Sequence, residues 1–228
     1  MKKLPKHSVD LIIGDPPYKM THEKWDSEDH CWKKYWEQLR RVCKPNAVVL
    51  LFGLKGVVLR CRLPARDLFK YELVWRRNRS GDPGQANKQP MTWHELISVF
   101  YSSKGKWTYN PQFSMVNGNS MHPHSIIQCE IPTRNSEGRE PEKCQKPVKL
   151  LRYLIKTYSN PGDMVLDTFC GTGSLGQACM ETGRNAILIE KDPQRFKKMK
   201  DYLTSKTFEP QMQMESLRLP DFKSDFYL

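Results

Sequence analysis

A glycine-rich turn is the feature that most constrains how this chain folds. The segment "MVLDTFCGTGSLGQACMETG" (164–183) places Gly171, Gly173 and Gly176 between an apolar run typical of a buried strand and a run with helical spacing. Glycines at such a turn allow a tight bend and let a ligand approach the backbone N–H groups at a helix N-terminus. The pattern predicts an α/β fold that binds a ligand where the strand ends.

Strand and helix signals alternate on both sides of an irregular middle. Strand candidates at 9–14 and 47–53 flank a helix whose apolar residues recur from Trp32 to Val42. Asp26 or Ser27 is positioned to cap the start of this helix. Strand, helix and strand joined by short turns imply parallel strands with a right-handed crossover. Further strands are predicted at 71–75, 95–101, 164–171 and 185–190, and further helices at 146–159, 174–183 and 193–203.

The composition narrows the class of partner. Lys and Arg number 37 against 25 Asp and Glu, a net charge of +12, which favours a polyanion such as nucleic acid as the partner. The seven cysteines include no Cys-x-x-Cys pair and no zinc-like Cys/His spacing, so they predict reduced thiols and no metal site. No apolar run approaches the roughly 20 residues of a membrane span. We expect a soluble, cytoplasmic protein, or a nuclear one in a eukaryotic host.

A second acidic position indicates a nucleoside-containing cofactor. Glu190 ends the strand after the glycine turn, 23 residues beyond Asp167, where a carboxylate can accept both hydroxyls of a ribose. A dinucleotide fits the same glycine pattern, so an NAD-dependent dehydrogenase is one alternative. However, the dehydrogenase fingerprint normally opens its Rossmann unit, and only 52 residues follow Gly176 here. Asp167 also suits a cationic amino-acid end better than a pyrophosphate, which favours S-adenosyl-L-methionine.

A rigid acidic corner follows the first strand. The segment "LIIGDPPY" (11–18) ends an apolar run at Asp15, and Pro16 and Pro17 then fix the turn and remove two N–H donors. The Asp15 carboxylate, the Pro16 carbonyl and the Tyr18 ring match a planar base with an exocyclic amino group. Accepting both hydrogens of that amine would stabilise the positive charge that develops as its nitrogen attacks a methyl sulfonium. Alone, such a corner favours a strand-ending turn; together with the glycine turn, it predicts a catalytic site.

The order of these motifs resembles that of the β-group of DNA amino-methyltransferases, in which the catalytic motif precedes the cofactor motif. The resemblance implies a Rossmann-like, doubly wound and mostly parallel sheet with circularly permuted motif order and an irregular insertion. The similar segments are "SVDLIIGDPPYKMTHEKWD" (8–26), "RVCKPNAVVLLFG" (41–53), "QKPVKLLRYLIKTYSNPGDMVLDTFCGTGSLGQAC" (145–179) and "GRNAILIEKDPQRF" (183–196).

The resemblance also implies roles for individual residues. For a flipped base it implies the corner residues Asp15, Pro16, Pro17 and Tyr18. For S-adenosyl-L-methionine it implies the glycine turn, the neighbouring acids and the "QKP" segment, namely Gln145, Lys146, Asp167, Phe169, Cys170, Gly171, Thr172, Gly173 and Glu190. An aspartate in the first catalytic position is usual for adenine-N6 enzymes, whereas cytosine-N4 enzymes more often have serine. Adenine N6 is therefore the predicted target, and cytosine N4 is the alternative.

The two motif blocks divide the chain into parts. Residues 1–75 are the expected catalytic half, 146–204 the cofactor-binding half and 205–228 a tail, while 76–145 are the expected target-recognition insertion. The partner we expect is double-stranded DNA, and relatives of this group are often dimers, so we also expect a homodimer or a partner subunit. The candidate contacts to DNA phosphates are Arg76, Arg77, Arg79 and Lys88.

The start of the chain departs from the family pattern. Most relatives carry an acidic segment before the catalytic motif that helps to hold the adenine of the cofactor, whereas only seven residues precede "SVDLI" here. We expect the adenine pocket to be incomplete, to be filled by another segment or to be completed by a partner chain. A non-catalytic, nucleic-acid-binding subunit of a methyltransferase complex is therefore a further alternative.

Overall fold

The structure is a computed structural model that describes most of the chain. The described residues are 1–17, 31–54, 56–80, 84, 86–102, 105–116, 119–133, 142 and 144–206. Tyr18, the expected caps Asp26 and Ser27, and the tail from residue 207 lie outside this part.

The helices bury the apolar stripes that their sequences predict. In the first helix, Trp36, Leu39 and Val42 are buried at helical spacing. The last helix begins with a side-chain cap, because the Asp192 carboxylate accepts the N–H groups of Gln194 and Arg195. The α-helices are α1 (Trp32–Val42), α2 (Gly56–Arg62), α3 (Val148–Tyr158), α4 (Ser174–Thr182) and α5 (Pro193–Thr204).

A seven-stranded, mostly parallel sheet forms the centre of the fold and confirms the predicted fold class. The strands of this sheet are β1 (Val9–Gly14), β2 (Cys43–Gly53), β3 (Phe69–Arg76), β4 (His94–Tyr101), β7 (Ile126–Gln128), β8 (Met164–Asp167) and β9 (Asn185–Leu188). Their order in the sheet is β7-β3-β4-β2-β1-β8-β9, and only β4 runs antiparallel to its two neighbours in this described sheet. The separate strands β5 (Ser114–Val116) and β6 (Asn119–Met121) pair with each other.

Both faces of the sheet are covered, which is why the central strands read as continuous apolar runs. Along β1, Leu11 and Ile13 pack into the core under α3 and α4, while Ile12 packs into the core under α1. Successive side chains of a strand point to opposite faces, so each residue of this run is buried by a different layer. The central position of β1 puts its carboxyl end between those of β2 and β8.

The differences between the structure and the sequence predictions include two strand boundaries and one helix. The strand predicted from residue 47 begins at Cys43, where Cys43 pairs with Val9 ahead of a register shift. The strand predicted to reach residue 171 ends at Asp167, because the following turn accommodates a positive φ at Gly171. Helix α2 was not predicted, since its Gly and β-branched residues have low helix propensity.

Candidate active site

The acidic corner and the glycine turn lie at the same edge of the sheet. Strands β1 and β8 are parallel neighbours, with Ile12 paired to Leu166, so Asp15 and Asp167 both lie at carboxyl ends. The absence of a side chain at Gly14 allows close packing at the end of β1. A Cβ atom there would lie 3.1 Å from the Leu51 side chain, 3.4 Å from Tyr35 and 3.6 Å from Phe169.

One cavity of about 240 Å³ is lined by both motifs. Asp15 and Pro17 line it from the corner, and the segment from Asp167 to Thr172 lines it from the turn. These residues are separated by about 150 positions in the chain, and the parallel sheet brings them together. The lining also includes four residues that bear on the predicted chemistry, namely Phe52, Gln145, Lys146 and Glu190.

Two of the predicted residues, Pro16 and Gly173, are not part of the cavity lining. Pro16 is buried. Gly173 precedes α4 with a φ of +80°, and a Cβ atom there would lie 2.5 Å from Cγ of Met199 on α5. Cys170 faces the same side chain, since its Sγ lies 3.3 Å from Sδ of Met199. The turn is thus packed directly against α5.

Two carboxylates are placed at the glycine turn. Asp167 is buried and accepts the N–H of Phe169 at 2.9 Å. Burial, together with the negative charges of Asp15 and Glu190, raises the pKa of Asp167 to about 7. Glu190 accepts the N–H groups of Gly171 and Asp192, each at 2.9 Å, which fixes its carboxylate at the cavity wall.

Lys146 links the corner to the rest of the site. Its ammonium is buried and donates to Oδ2 of Asp15 at 2.5 Å, and it lies 3.3 Å from Oε2 of Glu95. Burial by itself would lower the pKa of Lys146, but the two carboxylates outweigh burial and raise it. The lysine is therefore held as a cation beside the corner. Gln145 is fixed by accepting the N–H of Glu142 at 3.2 Å.

The predicted phosphate contacts divide into two groups. Arg76, Arg79 and Lys88 are exposed. Arg77 is buried, with its guanidinium donating to Glu95 at 3.2 Å and to the carbonyl of Thr92 at 2.6 Å. A guanidinium held in this way does not face a phosphate backbone, so the prediction that Arg77 contacts a phosphate is not retained.

Several residues at the site were missed by the sequence analysis. Tyr35 on α1 packs beside Phe169, and its hydroxyl lies 2.8 Å from Oγ1 of Thr168. Arg195 on α5 forms an ion pair with Glu142 at 3.5 Å, and both side chains line the cavity. In each case the partners are far apart in the chain. Glu95 was missed as well, although an acid within the apolar strand β4 is a local indication of a functional role.

Metal-ligand clusters and membrane-spanning helices are both absent from the described residues. Among the described residues, no three His, Cys, Asp or Glu side chains are grouped as metal ligands. Within the same part of the chain, no helix is long and apolar enough to cross a membrane.

The fold and the shared cavity define an α/β protein of the methyltransferase class. The family model described as DNA methylase, for the N6 and N4 enzymes, matches residues 9–201. The chain belongs to this DNA methylase family, as the order of its motifs predicted.

Similar proteins include an enzyme and several solved structures. The type II methyltransferase M.HpaI from Haemophilus parainfluenzae is 29% identical over 225 residues, which cover 90% of this chain and 71% of that protein. The M1.HpyAVI–SAM complex has a TM-score of 0.64 at 24% identity and covers 88% of this chain and 90% of that one. The cytosine-N4-specific PvuII DNA methyltransferase has a TM-score of 0.63 at 16% identity, with coverages of 89% and 87%.

Proposed function

We propose that this chain transfers the methyl group of S-adenosyl-L-methionine to the exocyclic amine of a base flipped out of double-stranded DNA, with adenine N6 as the target. The observation that carries the proposal is the single cavity lined by both the Asp15 corner and the glycine turn. In-line transfer needs the amine and the methyl group on facing sides of one enclosed space.

The lining of the cavity fits the proposed cofactor. In the proposal, the Asp167 carboxylate accepts hydrogen bonds from the ammonium group of the methionine moiety, and Glu190 accepts hydrogen bonds from the ribose hydroxyls. Both carboxylates are held at the turn by backbone N–H groups. At Gly171, a Cβ atom would lie 4.0 Å from its nearest neighbour, the Phe169 carbonyl, so the glycine leaves space on the cavity side. When bound, S-adenosyl-L-methionine supplies a methyl group on a sulfonium centre. The remaining proposed contacts are Gln145, Lys146, Phe169, Cys170 and Thr172, with Gly173 shaping the turn.

The corner supplies the acceptors for the amine. In the proposed reaction, the Asp15 carboxylate and the Pro16 carbonyl accept the two amino hydrogens, which localises the nitrogen lone pair for attack. The ammonium of Lys146 fixes the Asp15 carboxylate. Formation of the nitrogen–carbon bond would break the bond between the methyl carbon and sulfur and leave S-adenosylhomocysteine, and the extra proton would pass from the alkylated amine to the Asp15 carboxylate along its hydrogen bond. Tyr18, which lies outside the described residues, is proposed to stack on the base.

Adenine is proposed over cytosine on the identity of one residue. The first catalytic position is Asp15, and the family resemblance associates aspartate with adenine N6. Cytosine N4 is the second candidate, because the cytosine-N4-specific PvuII enzyme shares the fold. The exposed Arg76, Arg79 and Lys88 are proposed to contact phosphates, and residues 76–145 to recognise the target. We further propose a cytoplasmic enzyme that acts as a homodimer or with a partner subunit.

The test compares two aspartates near the opposite ends of β1. Asp15→Asn should reduce methyl transfer to DNA by at least about 100-fold while cofactor binding persists, because it removes the charge that stabilises the transition state. Asp10 lies at the other end of β1, paired with Lys44 at 2.7 Å, and Asp10→Asn should leave the rate within about twofold. Nucleoside mass spectrometry of the methylated DNA identifies the product. Wild-type activity in Asp15→Asn would refute the assigned role, and N4-methylcytosine would select the second candidate.

A further inference from the structure

Four buried or partly buried charges of alternating sign run inward from the acidic corner. Asp15 pairs with Lys146 at 2.5 Å, Lys146 with Glu95 at 3.3 Å, and Glu95 with Arg77 at 3.2 Å. The side chain of Asp15 is 27% exposed, whereas those of Lys146, Glu95 and Arg77 are each 8% exposed or less, so three of the four charges are buried. These charges come from the ends of β1 and β3, from β4 and from the segment before α3.

Glu95 is a second carboxylate at the ammonium of Lys146, with its Oε2 3.3 Å from Nζ. Lys146 also lies against the ring of Phe52, with Nζ 5.2 Å from the ring centroid, so the lysine is held between an aromatic face and two carboxylates. Glu95 is fixed in turn by the guanidinium of Arg77. This guanidinium also donates to the Thr92 carbonyl, and the backbone N–H of Arg77 donates to the Trp93 carbonyl. Each charge is positioned by the next one inward.

The arrangement makes the location of the Asp15 carboxylate dependent on Glu95. Removing one carboxylate from a buried ammonium leaves charge that is no longer compensated, so the ammonium and its remaining partner rearrange. Asp15 follows Gly14 at the end of a strand, and its side chain is the most exposed of the four. Lys146 therefore restrains the orientation of Asp15, and Glu95 restrains the location of Lys146.

We propose that Glu95 is a positioning residue for methyl transfer, which holds the Asp15 carboxylate in its reactive orientation through Lys146. This inference rests on the proposed function of the same site. Glu95 does not line the cavity and has no contact with substrate in this account.

The first measurement separates turnover from cofactor binding. Glu95→Gln should lower kcat for methyl transfer by about 10- to 100-fold, because a small displacement of a reacting group has effects of this size. The Kd for S-adenosylhomocysteine should change much less, by no more than about fivefold, since Lys146 is the proposed cofactor contact that moves while Glu190, Asp167 and the glycine turn are unchanged. The matched control is Glu72→Gln, which should leave kcat unchanged. Glu72 lies on β3, and its carboxylate forms a different ion pair, with Arg62.

Two outcomes of this measurement would overturn the inference. One is an unchanged kcat in Glu95→Gln, and the other is an equal loss in Glu72→Gln. Should Glu95→Gln fail to fold, Glu95→Asp keeps the charge but shortens the reach to Lys146, and it should show the same split between kcat and Kd.

The second measurement needs no activity and tests the shared ammonium directly. Asp15→Asn and Glu95→Gln each remove one of the two carboxylates described at Lys146, and the double variant removes both. The Tm loss of the double variant should therefore exceed the sum of the two single losses. Additive losses would overturn the inference. If the wild-type chain transfers no methyl group, the proposed function fails, and a Tm loss beyond additivity then still supports the positioning of Asp15 by Glu95.

Discussion

At the residue scale, the site depends on carboxylates kept in different environments. Asp15 lies next to an ammonium, whereas Asp167 is buried beside two other acids and accepts one backbone N–H. The raised pKa of Asp167, about 7, makes this group half-protonated near neutral pH in the chain without ligand. A cationic group placed against it would favour the ionised form.

This environment predicts that cofactor affinity increases with pH. Between about pH 6 and 8, Asp167 loses its proton, so less free energy is needed to ionise it when the cationic end of the cofactor binds. Isothermal titration calorimetry with S-adenosylhomocysteine in buffers of different ionisation enthalpy should detect proton release near pH 6.5. A pH-independent affinity with no proton release would contradict the proposed role of Asp167.

The same group predicts a pH dependence of stability. The pKa of Asp167 is about 7 in the folded chain and about 3.8 when unperturbed, so the folded state binds the proton more tightly. The contribution of Asp167 to the free energy of unfolding therefore decreases as the pH rises from about 4 to 7. Relative to wild type, Asp167→Asn should gain stability across this range, as measured by urea unfolding. A constant difference between the two proteins would show that this carboxyl is not perturbed.

At the element scale, the glycine turn combines a ligand-facing loop with close helix packing. Gly173 has a left-handed φ and packs against Met199, while a Cβ atom at Gly176 would lie 2.7 Å from Leu188 and 2.8 Å from Leu203. The glycine spacing thus brings α4 against β9 and α5. The close approach of α4 places its N-terminus beside the cavity.

A pair of glycine substitutions separates backbone strain from packing. Gly173 and Gly183 both have positive φ, +80° and +71°, but nothing lies within 4 Å of a Cβ atom at Gly183. Gly183→Ala should lower the free energy of unfolding by about 1 kcal/mol through strain alone. Gly173→Ala should lower it by about 2–4 kcal/mol, because overlap with Met199 adds to the strain. Equal losses in chemical denaturation would show that Met199 moves aside at little cost.

At the scale of the whole molecule, charge separates into a buried network and an exposed basic surface. The net charge is +12, yet Arg77 and Lys146 are paired inside the chain. The basic residues proposed to attract DNA are therefore exposed ones such as Arg76, Arg79 and Lys88. Buried cations set the geometry of the site, and exposed cations set the affinity for a polyanion.

This division predicts different salt dependences of DNA binding. Arg79→Ala should make the slope of log K against log salt shallower by about 1, as expected for one lost phosphate contact. Lys198→Ala on α5 changes the net charge equally and should leave the slope unchanged. Binding isotherms between about 50 and 200 mM salt provide the measurement. Equal effects of the two variants would indicate that net charge, rather than a defined contact, determines binding.

The sequence was informative where one element carries the signal. Local periodicity predicted, to within two residues, the bounds of α3, α4, α5, β1, β3, β4 and β9. The glycine turn was predicted from its backbone freedom. The pairing of Lys146 with Asp15 and Glu95 could not be predicted, since it joins positions 131 and 51 residues apart. For the same reason Arg77 was placed on the surface with its exposed neighbours, although it points inward toward Glu95.

The convergence of the Asp15 corner and the glycine turn on one cavity is the central claim, and a crystal structure with bound S-adenosylhomocysteine tests it most directly. We expect the ribose hydroxyls at Glu190, the amino group at Asp167, and the sulfur facing the Asp15 carboxylate across the cavity. A ligand bound elsewhere, or one whose sulfur faces away from Asp15, would contradict the claim.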